Sequence, residues 1–264
     1  MNSLESQYRN PTKLNTRINI HETYSENKKD WHLWLFEQMN ISPNSKILEV
    51  GCGDGTFWMK NRKRIDPSWN LILSDFSEGM VESAHKNVGV NPNIQYSSFN
   101  IEDIPFAENH FDIVIASHML YHVPNRKKAL EEVRRVLKPD GTFYCSTIGQ
   151  NHLKEFGELL KRFDPHLDFP SAREHALNFG VENGAAQLQE YFNEIGYKDF
   201  AGGLKITDEK AIVDYLLSSN TDLNKILVND TLSDFLSFLK SEKEENNGAI
   251  YITKSTGLFE SKRS

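Results

Sequence analysis

Short apolar runs alternate with amphipathic stretches through residues 46–147. Five of these runs have the length of β-strands, at residues 47–50, 71–74, 94–99, 111–116 and 142–147. The fourth run is almost continuously apolar, which is typical of a parallel strand that is covered on both faces. Strands that alternate with helices in this way predict an α/β fold with a doubly wound, mostly parallel sheet.

The second half of the chain continues the pattern less regularly. The spacing of Leu188, Phe192 and Ile195 predicts a helix, and more helices are predicted at about 150–182 and 208–246. Strands predicted at residues 197–206 and 249–259 complete a seven-stranded sheet. We interpret the two helical stretches as cap insertions into this one sheet.

The chain before the first strand is read as a helical segment of its own. Residues 1–44 are polar at first and then carry a dense aromatic group that includes Tyr24, Trp31 and Trp34. We expect this segment to be a lid, followed by one domain over residues 45–264. Trp31 and Trp34 have helical spacing, so packing on the core is favoured over a lid function for at least one of them.

Composition narrows the class of protein. The chain has 264 residues, 38% hydrophobic and 25% charged, which is ordinary for a soluble globular protein. Its longest apolar run is far below the roughly 20 residues that span a bilayer, and its start does not resemble a secretory signal. Two widely spaced cysteines, Cys52 and Cys145, indicate a reducing, cytoplasmic location. A net charge of −7 disfavours nucleic acid as a partner.

Three alternate glycines lie directly after the first predicted strand. Gly51, Gly53 and Gly55 are followed by an amphipathic stretch from Thr56, which makes a strand, a glycine turn and a helix. Glycine permits positive φ and removes the Cβ atoms that would block a nucleotide-like ligand. Thr56 stands where the dinucleotide fingerprint has its last glycine, which counts against a nicotinamide cofactor. Cys52 is interpreted as a small residue of the turn and not as a nucleophile.

An acidic residue follows the glycine turn at a suitable distance. Asp75 lies at the end of the second predicted strand, 20 residues after Gly55. A carboxylate there can accept hydrogen bonds from the ribose hydroxyls of an adenosine group. A capping function for the next helix is the alternative, and the ligand function is favoured because the glycine turn accompanies it.

These features together resemble a known family. The resemblance is carried, in order and with matching spacing, by the stretches ILEVGCGDGTF, SDFSEGM, FNIEDIPF, HFDIVIASHMLYHV and EVRRVLKPDGTFYCST. They are similar to the class I S-adenosylmethionine-dependent methyltransferases of type 11, the ubiquinone/menaquinone C-methyltransferase-like group. The similarity covers residues 45–148 closely and implies a Rossmann-like methyltransferase fold.

The resemblance implies S-adenosylmethionine as cofactor, with S-adenosylhomocysteine as product. The glycine turn would hold the methionine part, Asp75 the ribose, and Asn100 with Ile101 the adenine. Family members more often have aspartate where this chain has Asn100. The full set assigned to cofactor binding is Glu49, Gly51, Cys52, Gly53, Gly55, Asp75, Phe76, Met80, Asn100, Ile101 and His118.

Catalysis by such an enzyme needs little acid–base chemistry. Orientation of the reactants can supply about 7–11 kcal/mol, and a general base adds only about 10²–10⁴-fold. The candidate bases are His118 and Tyr24, ahead of three further residues, Tyr121, His122 and His152. His118 could instead cap a helix or contact the cofactor. His118 and His122 have metal-ligand spacing, but a third ligand is not indicated, so we expect no metal.

The sequence therefore predicts a methyltransferase that acts at O, N or C of a small-molecule or small peptide acceptor. We expect a monomer or homodimer without a membrane span. Two rivals are kept: a non-catalytic protein that binds the cofactor or regulates a partner, and a nicotinamide-dependent oxidoreductase.

Overall fold

The computed structural model describes residues 11–169, 172–220 and 222–263. Within them the chain forms two compact units. The larger unit takes its described residues from Lys29–Gln150, His175–Phe200 and Thr256–Ser264. The smaller unit takes its described residues from Met1–Lys28, Asn151–Glu174 and Ala201–Ser255.

The described strands, numbered along the chain, are β1 (Lys46–Val50), β2 (Asn70–Asp75), β3 (Ile94–Ser98), β4 (Phe111–Ser117), β5 (Leu137–Ile148), β6 (Glu194–Asp199), β7 (Gly203–Ile206), β8 (Ile250–Thr253) and β9 (Thr256–Lys262). The larger unit has a seven-stranded sheet of order β3-β2-β1-β4-β5-β9-β6. Its first five strands pair in parallel, and β9 is antiparallel to both β5 and β6. The five strands predicted within residues 46–147 are confirmed.

The described α-helices are α1 (Pro11–Tyr24), α2 (Trp31–Glu37), α3 (Thr56–Lys60), α4 (Glu78–Val88), α5 (Arg126–Val136), α6 (Lys154–Phe163), α7 (Ala172–Asn178), α8 (Gly184–Leu188), α9 (Glu209–Ser219), α10 (Leu223–Ile226) and α11 (Asn229–Glu245). None of the described helices is long and apolar enough to cross a membrane.

Both faces of the larger sheet are covered by helices. Neighbouring residues of a strand point to opposite faces, so Ile47 packs in one cluster with Leu35 and Trp58, whereas Leu48 packs in another with Leu130. The first cluster contains residues of α2, α3 and α4, and the second contains the apolar face of α5. This burial on both faces explains the nearly continuous apolar strands. The predicted doubly wound α/β fold is confirmed.

The smaller unit has a core of its own. Its antiparallel strands β7 and β8 pair Leu204 with Ile252, and both residues are buried. Phe156 of α6, Leu216 of α9 and Phe235 of α11 pack in the same cluster. Of the helices within the stretches predicted at about 150–182 and 208–246, α6, α9, α10 and α11 belong to this unit, whereas α7 is divided between the two units at His175.

Three predicted elements of the second half are wrong in their extent. The helix predicted over residues 188–195 ends at Leu188, and Ile195 belongs to β6. The strand predicted at 197–206 is two strands in different sheets, and the one predicted at 249–259 is likewise β8 and β9. In both cases the chain passes from one unit to the other between the two strands. Gly202, with φ of 143°, lies in the first break.

The predicted boundary between a lid at residues 1–44 and a domain at 45–264 stays a prediction. Residues 1–10 lie outside the described part of the chain.

Candidate functional site

The strand order reverses at the neighbouring parallel strands β1 and β4: β2 and β3 lie on the side of β1, and β5 lies on the side of β4. Ligands of open α/β sheets bind at such a switch point, at the carboxyl ends of the strands. The predicted site residues follow this edge closely: Gly51 comes after β1, Asp75 ends β2, Asn100 comes after β3 and His118 comes after β4. The fold therefore brings the sequence motifs to one edge.

The glycine turn has the backbone that the sequence predicted. Gly51, Gly53 and Gly55 have φ of 70°, 55° and 75°, all in the left-handed region. A Cβ atom at Gly51 would lie 2.9 Å from the side chain of Met119, and one at Gly55 would lie 2.8 Å from Val88. A Cβ atom at Gly53 would have no atom within 4 Å among the described residues other than Gly53 and its two chain neighbours. Gly53 thus exposes bare backbone to open space.

The Asp75 carboxylate connects the end of β2 to this turn. Its Oδ2 accepts a hydrogen bond from the N–H of Gly53 at 3.0 Å, and its Oδ1 accepts one from Ser77 at 2.9 Å. Burial raises the pKa of Asp75, and these backbone N–H groups oppose the rise. A carboxylate has about four acceptor positions, so Asp75 can support the turn and still accept from a ligand. The sequence identified Asp75 but not its bond to Gly53.

Glu49 lies beneath the turn and is only 1% exposed. Its Oε2 accepts a hydrogen bond from Trp58 Nε1 at 2.6 Å. Burial raises the pKa of Glu49 to about 8, the Trp58 bond lowers it, and the charge of Asp75 raises it further. The resemblance assigned Glu49 to the cofactor; the geometry shows contact with Trp58, and its role toward a ligand stays a prediction. A buried carboxylate requires a donor, but nothing in the sequence singled out Trp58.

Cys52 lies within the turn as a small buried residue. Its N–H donates to the carbonyl oxygen of Ser74 at 2.8 Å. Burial raises the pKa of the thiol well above its usual range, and the negative charges of Glu49 and Asp75 raise it further. A thiol that stays protonated is a poor nucleophile, which supports the interpretation of Cys52 as a turn residue.

The residues assigned to adenosine surround the ends of β2 and β3. Phe76 is 75% exposed directly after β2, and Met80 is half-buried on α4. Asn100 is exposed, and its Oδ1 accepts a hydrogen bond from Glu102 N–H at 2.9 Å. Ile101 is 5% exposed and its side chain packs in the core, so only its backbone is available to a ligand.

His118 has an unusual backbone at the end of β4. Its φ is 50°, a region that non-glycine residues rarely adopt. Its N–H donates to both the carbonyl oxygen and the Oγ of Ser146, each at 3.1 Å. Such strain persists where the surrounding structure enforces it, and it is common at functional sites. Next to it, Ser117 Oγ is buried and has no hydrogen-bond partner within the described ranges.

An aromatic group accompanies His118. The ring of Trp31 lies 5.0 Å from the ring of His118, and it also lies 5.2 Å from Trp34 and 5.2 Å from Phe200. Asp30 places Trp31 because its carboxylate caps α2 through the N–H groups of the second and third helical residues. Both tryptophans are half-buried and pack against the cluster that contains Leu35 and Trp58, which agrees with the packing favoured for at least one of them. The contact between Trp31 and His118 was not anticipated, since the two are far apart in sequence.

The other candidate bases lie elsewhere. Tyr121, His122 and His175 form a group of rings whose centroids are 4.5–5.2 Å apart. Burial lowers the pKa of His122 to about 4, and the charge of His175 contributes to this shift. Tyr24 and His152 belong to the smaller unit, and their catalytic roles stay predictions. The part of the chain that is described contains no group of three or more His, Cys, Asp or Glu side chains suited to a metal ion.

Comparisons with known proteins agree with this geometry. A family model described as a methyltransferase domain matches residues 48–145. The chain is 33% identical over 212 residues to a demethylmenaquinone methyltransferase of Staphylococcus carnosus, a match that covers 74% of this chain and 85% of that protein. A demethylmenaquinone methyltransferase of Staphylococcus aureus (strain JH9) is 25% identical over 215 residues, covering 75% and 88%.

Solved structures show the same fold. The YcgJ protein of Bacillus subtilis has a TM-score of 0.55 at 21% identity, over 88% of this chain and 97% of that one. A phosphoethanolamine N-methyltransferase of Haemonchus contortus, solved in complex with S-adenosylmethionine, has a TM-score of 0.60 at 14% identity, over 98% of this chain and 59% of that one. Neither a nicotinamide-dependent oxidoreductase nor a non-catalytic protein is favoured by these matches.

Proposed function

The chain belongs to the class I S-adenosylmethionine-dependent methyltransferases of the ubiquinone/menaquinone C-methyltransferase-like kind, and from this premise we propose that it methylates a small-molecule or small peptide acceptor beside His118. When bound, S-adenosylmethionine supplies an electrophilic sulfonium methyl group. The observation that carries the proposal is the glycine turn, where Gly53 has open space instead of a neighbour at its Cβ position. The exposed ring of Phe76 and the carboxylate of Asp75 beside it fit an adenosine group.

We assign the following roles to the chain's own residues. The backbone at Gly53 admits the methionine part, and Asp75 accepts hydrogen bonds from the ribose while it holds the turn. Phe76 offers a flat apolar surface for the adenine, and Asn100 with the Ile101 backbone offers polar groups at its edge. Orientation of the reactants by these contacts can supply about 7–11 kcal/mol of the barrier.

His118 is the residue assigned to the acceptor. The two hydrogen bonds from its N–H to Ser146 fix its backbone, and Trp31 fixes one side of its ring. A neutral imidazole held in this way can accept the proton that the acceptor loses. A base contributes about 10²–10⁴-fold, so a loss of this size is the expected signature.

The kind of acceptor is inferred from the surroundings of His118. The rings of Trp31, Trp34 and Phe200 favour an acceptor with an aromatic or planar apolar part. The relatives named as demethylmenaquinone methyltransferases make a naphthoquinol the first compound to test. The net charge of −7 disfavours nucleic acid, and the two buried free cysteines fit the cytoplasm. We propose that the protein is a monomer or homodimer.

The test is the transfer of a labelled methyl group from S-adenosylmethionine to a panel of phenols, quinols, amines and short peptides. His118→Asn is the informative variant because asparagine tolerates the left-handed backbone but cannot act as a base. We expect kcat to fall about 10²–10⁴-fold, and calorimetry with S-adenosylmethionine shows whether His118 also contributes to cofactor affinity. His110→Asn, directly before the amino end of β4, is the matched control because His110 is not a candidate base, and it should keep most of the activity. Equal activity of the wild type and His118→Asn on a confirmed acceptor would reject His118 as the base.

A further inference from the structure

A group of basic side chains lies within the smaller unit and includes His152, one of the lower-ranked candidate bases. We call it the basic cluster and define it by His21 of α1, His152 before α6, and Lys254 after β8. Ser25, which follows α1 and is buried, belongs to the same group. Three separate segments of the chain therefore bring hydrogen-bond donors together.

The contacts within the basic cluster are direct. The rings of His21 and His152 are stacked, with centroids 6.4 Å apart and planes 11° from parallel. Lys254 Nζ donates a hydrogen bond to Ser25 Oγ at 3.3 Å. The ammonium of Lys254 also acts on His21 electrostatically, so the lysine and both histidines share one region.

The orientation of His152 is fixed by the backbone. Its Nδ1 accepts a hydrogen bond from the N–H of Ser255 at 3.2 Å. In a neutral imidazole one nitrogen accepts and the other carries the proton. In the neutral form of His152 the proton is therefore on Nε2, and the residue after Lys254 sets this tautomer.

The surroundings of the basic cluster are apolar. Tyr215 meets the ring of His21 edge-on at 6.4 Å and stacks on Phe156 at 4.5 Å, within the core of the smaller unit. Burial, followed by the charge of Lys254, lowers the pKa of His21 to about 4, and burial lowers the pKa of Lys254. An anion that enters such a site meets donors in a medium of low dielectric constant, where charge-assisted hydrogen bonds are strongest.

We propose that the basic cluster of His21, Ser25, His152 and Lys254 is a binding site for an oxyanion, the carboxylate or phosphate ester of a small molecule. The lysine supplies the positive charge, and the hydroxyl and imidazole groups supply directed donors. This site is independent of the assignment of methyl transfer to the larger unit.

The experiment uses the full chain with ¹⁵N-labelled histidine and two probes, inorganic phosphate and acetate. We expect titration with at least one probe to move the ring signals of His21 and His152, and only small shifts at His166, which is exposed on the same unit. Movement with phosphate alone indicates a phosphate ester, and movement with acetate alone indicates a carboxylate; both support the site. Absence of movement at both histidines with both probes overturns it.

A pair of lysine variants tests the charge. Lys254→Met should raise the Kd for the active probe about 10–100-fold, the range of one lost charge-assisted bond. Lys210→Met removes an exposed lysine of the same unit and should leave this Kd within about twofold. Thermal unfolding of each variant shows whether it is folded. Equal Kd values for two folded variants would overturn the proposal, and the wild-type titration decides the matter if Lys254→Met does not fold.

Discussion

A comparison of Gly53→Ala with Gly55→Ala separates the effect of contact with a ligand from the effect of packing within the protein. Both glycines lie in the left-handed region, with φ of 55° and 75°. An L-residue in this region costs about 1–2 kcal/mol, so both substitutions share this penalty. They differ in what the new methyl group meets.

The packing cost is large at one position only. At Gly55 the Cβ atom would lie 2.8 Å from Val88 Cγ2 and 3.1 Å from the Cα atom of Ala84. Overpacking of this kind adds about 1–3 kcal/mol, so Gly55→Ala should lower the free energy of unfolding by about 2–5 kcal/mol. At Gly53 the Cβ atom meets no described atom within 4 Å, so Gly53→Ala should lose only about 1–2 kcal/mol.

For cofactor affinity, Gly53→Ala should have the larger effect of the two variants. The methyl group of Gly53→Ala enters the space that we assign to S-adenosylmethionine, so its Kd should rise at least about tenfold, which corresponds to about 1.4 kcal/mol. The resemblance assigns Gly55 to cofactor binding as well, but its Cβ position faces Val88 and Ala84 of α4, so folded Gly55→Ala should bind within about threefold of the wild type. Urea unfolding gives the stabilities, and isothermal titration calorimetry gives the affinities at a temperature where both variants are folded.

Two results would refute this reasoning. If Gly53→Ala binds S-adenosylmethionine as tightly as the wild type, the open space at Gly53 is not where the cofactor lies. If Gly53→Ala loses as much stability as Gly55→Ala, the space is not open in solution, and the contrast between the two glycines fails before any ligand is considered.

Three further predictions concern Glu49, its hydrogen-bond donor Trp58, and Asp75. The pKa of Glu49 is raised from 4.5 to about 8 in the folded protein, so between these pH values the native state holds a proton that the unfolded state releases. The free energy of unfolding should therefore fall as the pH rises through this range, by at most about 1.4 kcal/mol per pH unit. Urea unfolding from about pH 5 to 9 should show a weaker pH dependence in Glu49→Gln than in the wild type. Trp58→Phe removes the donor to Glu49 and should cost about 1–3 kcal/mol, measured by the same method; an unchanged stability would mean that the bond is not formed. Asp75→Asn should weaken S-adenosylmethionine binding about 10–100-fold in calorimetry, and an unchanged affinity of the folded variant would remove Asp75 from the ribose.

The local signals of the sequence were sufficient for the first half of the chain. An apolar run that is covered on both faces, or a glycine that needs positive φ, can be recognised from neighbouring residues in the sequence. The five strands and the turn at Gly51, Gly53 and Gly55 could therefore be predicted. Their order along the chain also implied that Asp75, Asn100 and His118 meet at one edge, because parallel strands align their carboxyl ends.

The second half shows where periodicity fails. The apolar residues from Leu188 to Ile195 repeat as a helix does, yet they belong to one short helix, a turn and an edge strand. The run at residues 249–259 looked like one strand, but Ile252 is buried in the core of the smaller unit and Phe259 in a core of the larger one. Periodicity records which residues are buried and contains no information on which core receives them.

Sequence alone thus determined the fold class, the glycine turn and the residues at the strand ends, since these depend on patterns within a few positions. Only the tertiary structure decided that Trp58 donates to Glu49, that Asp75 holds Gly53, that Trp31 meets His118, and that His21, His152 and Lys254 come together. Each of these contacts joins segments that are separate in the chain. Their partners are chosen by packing, and packing exists only once the chain has folded.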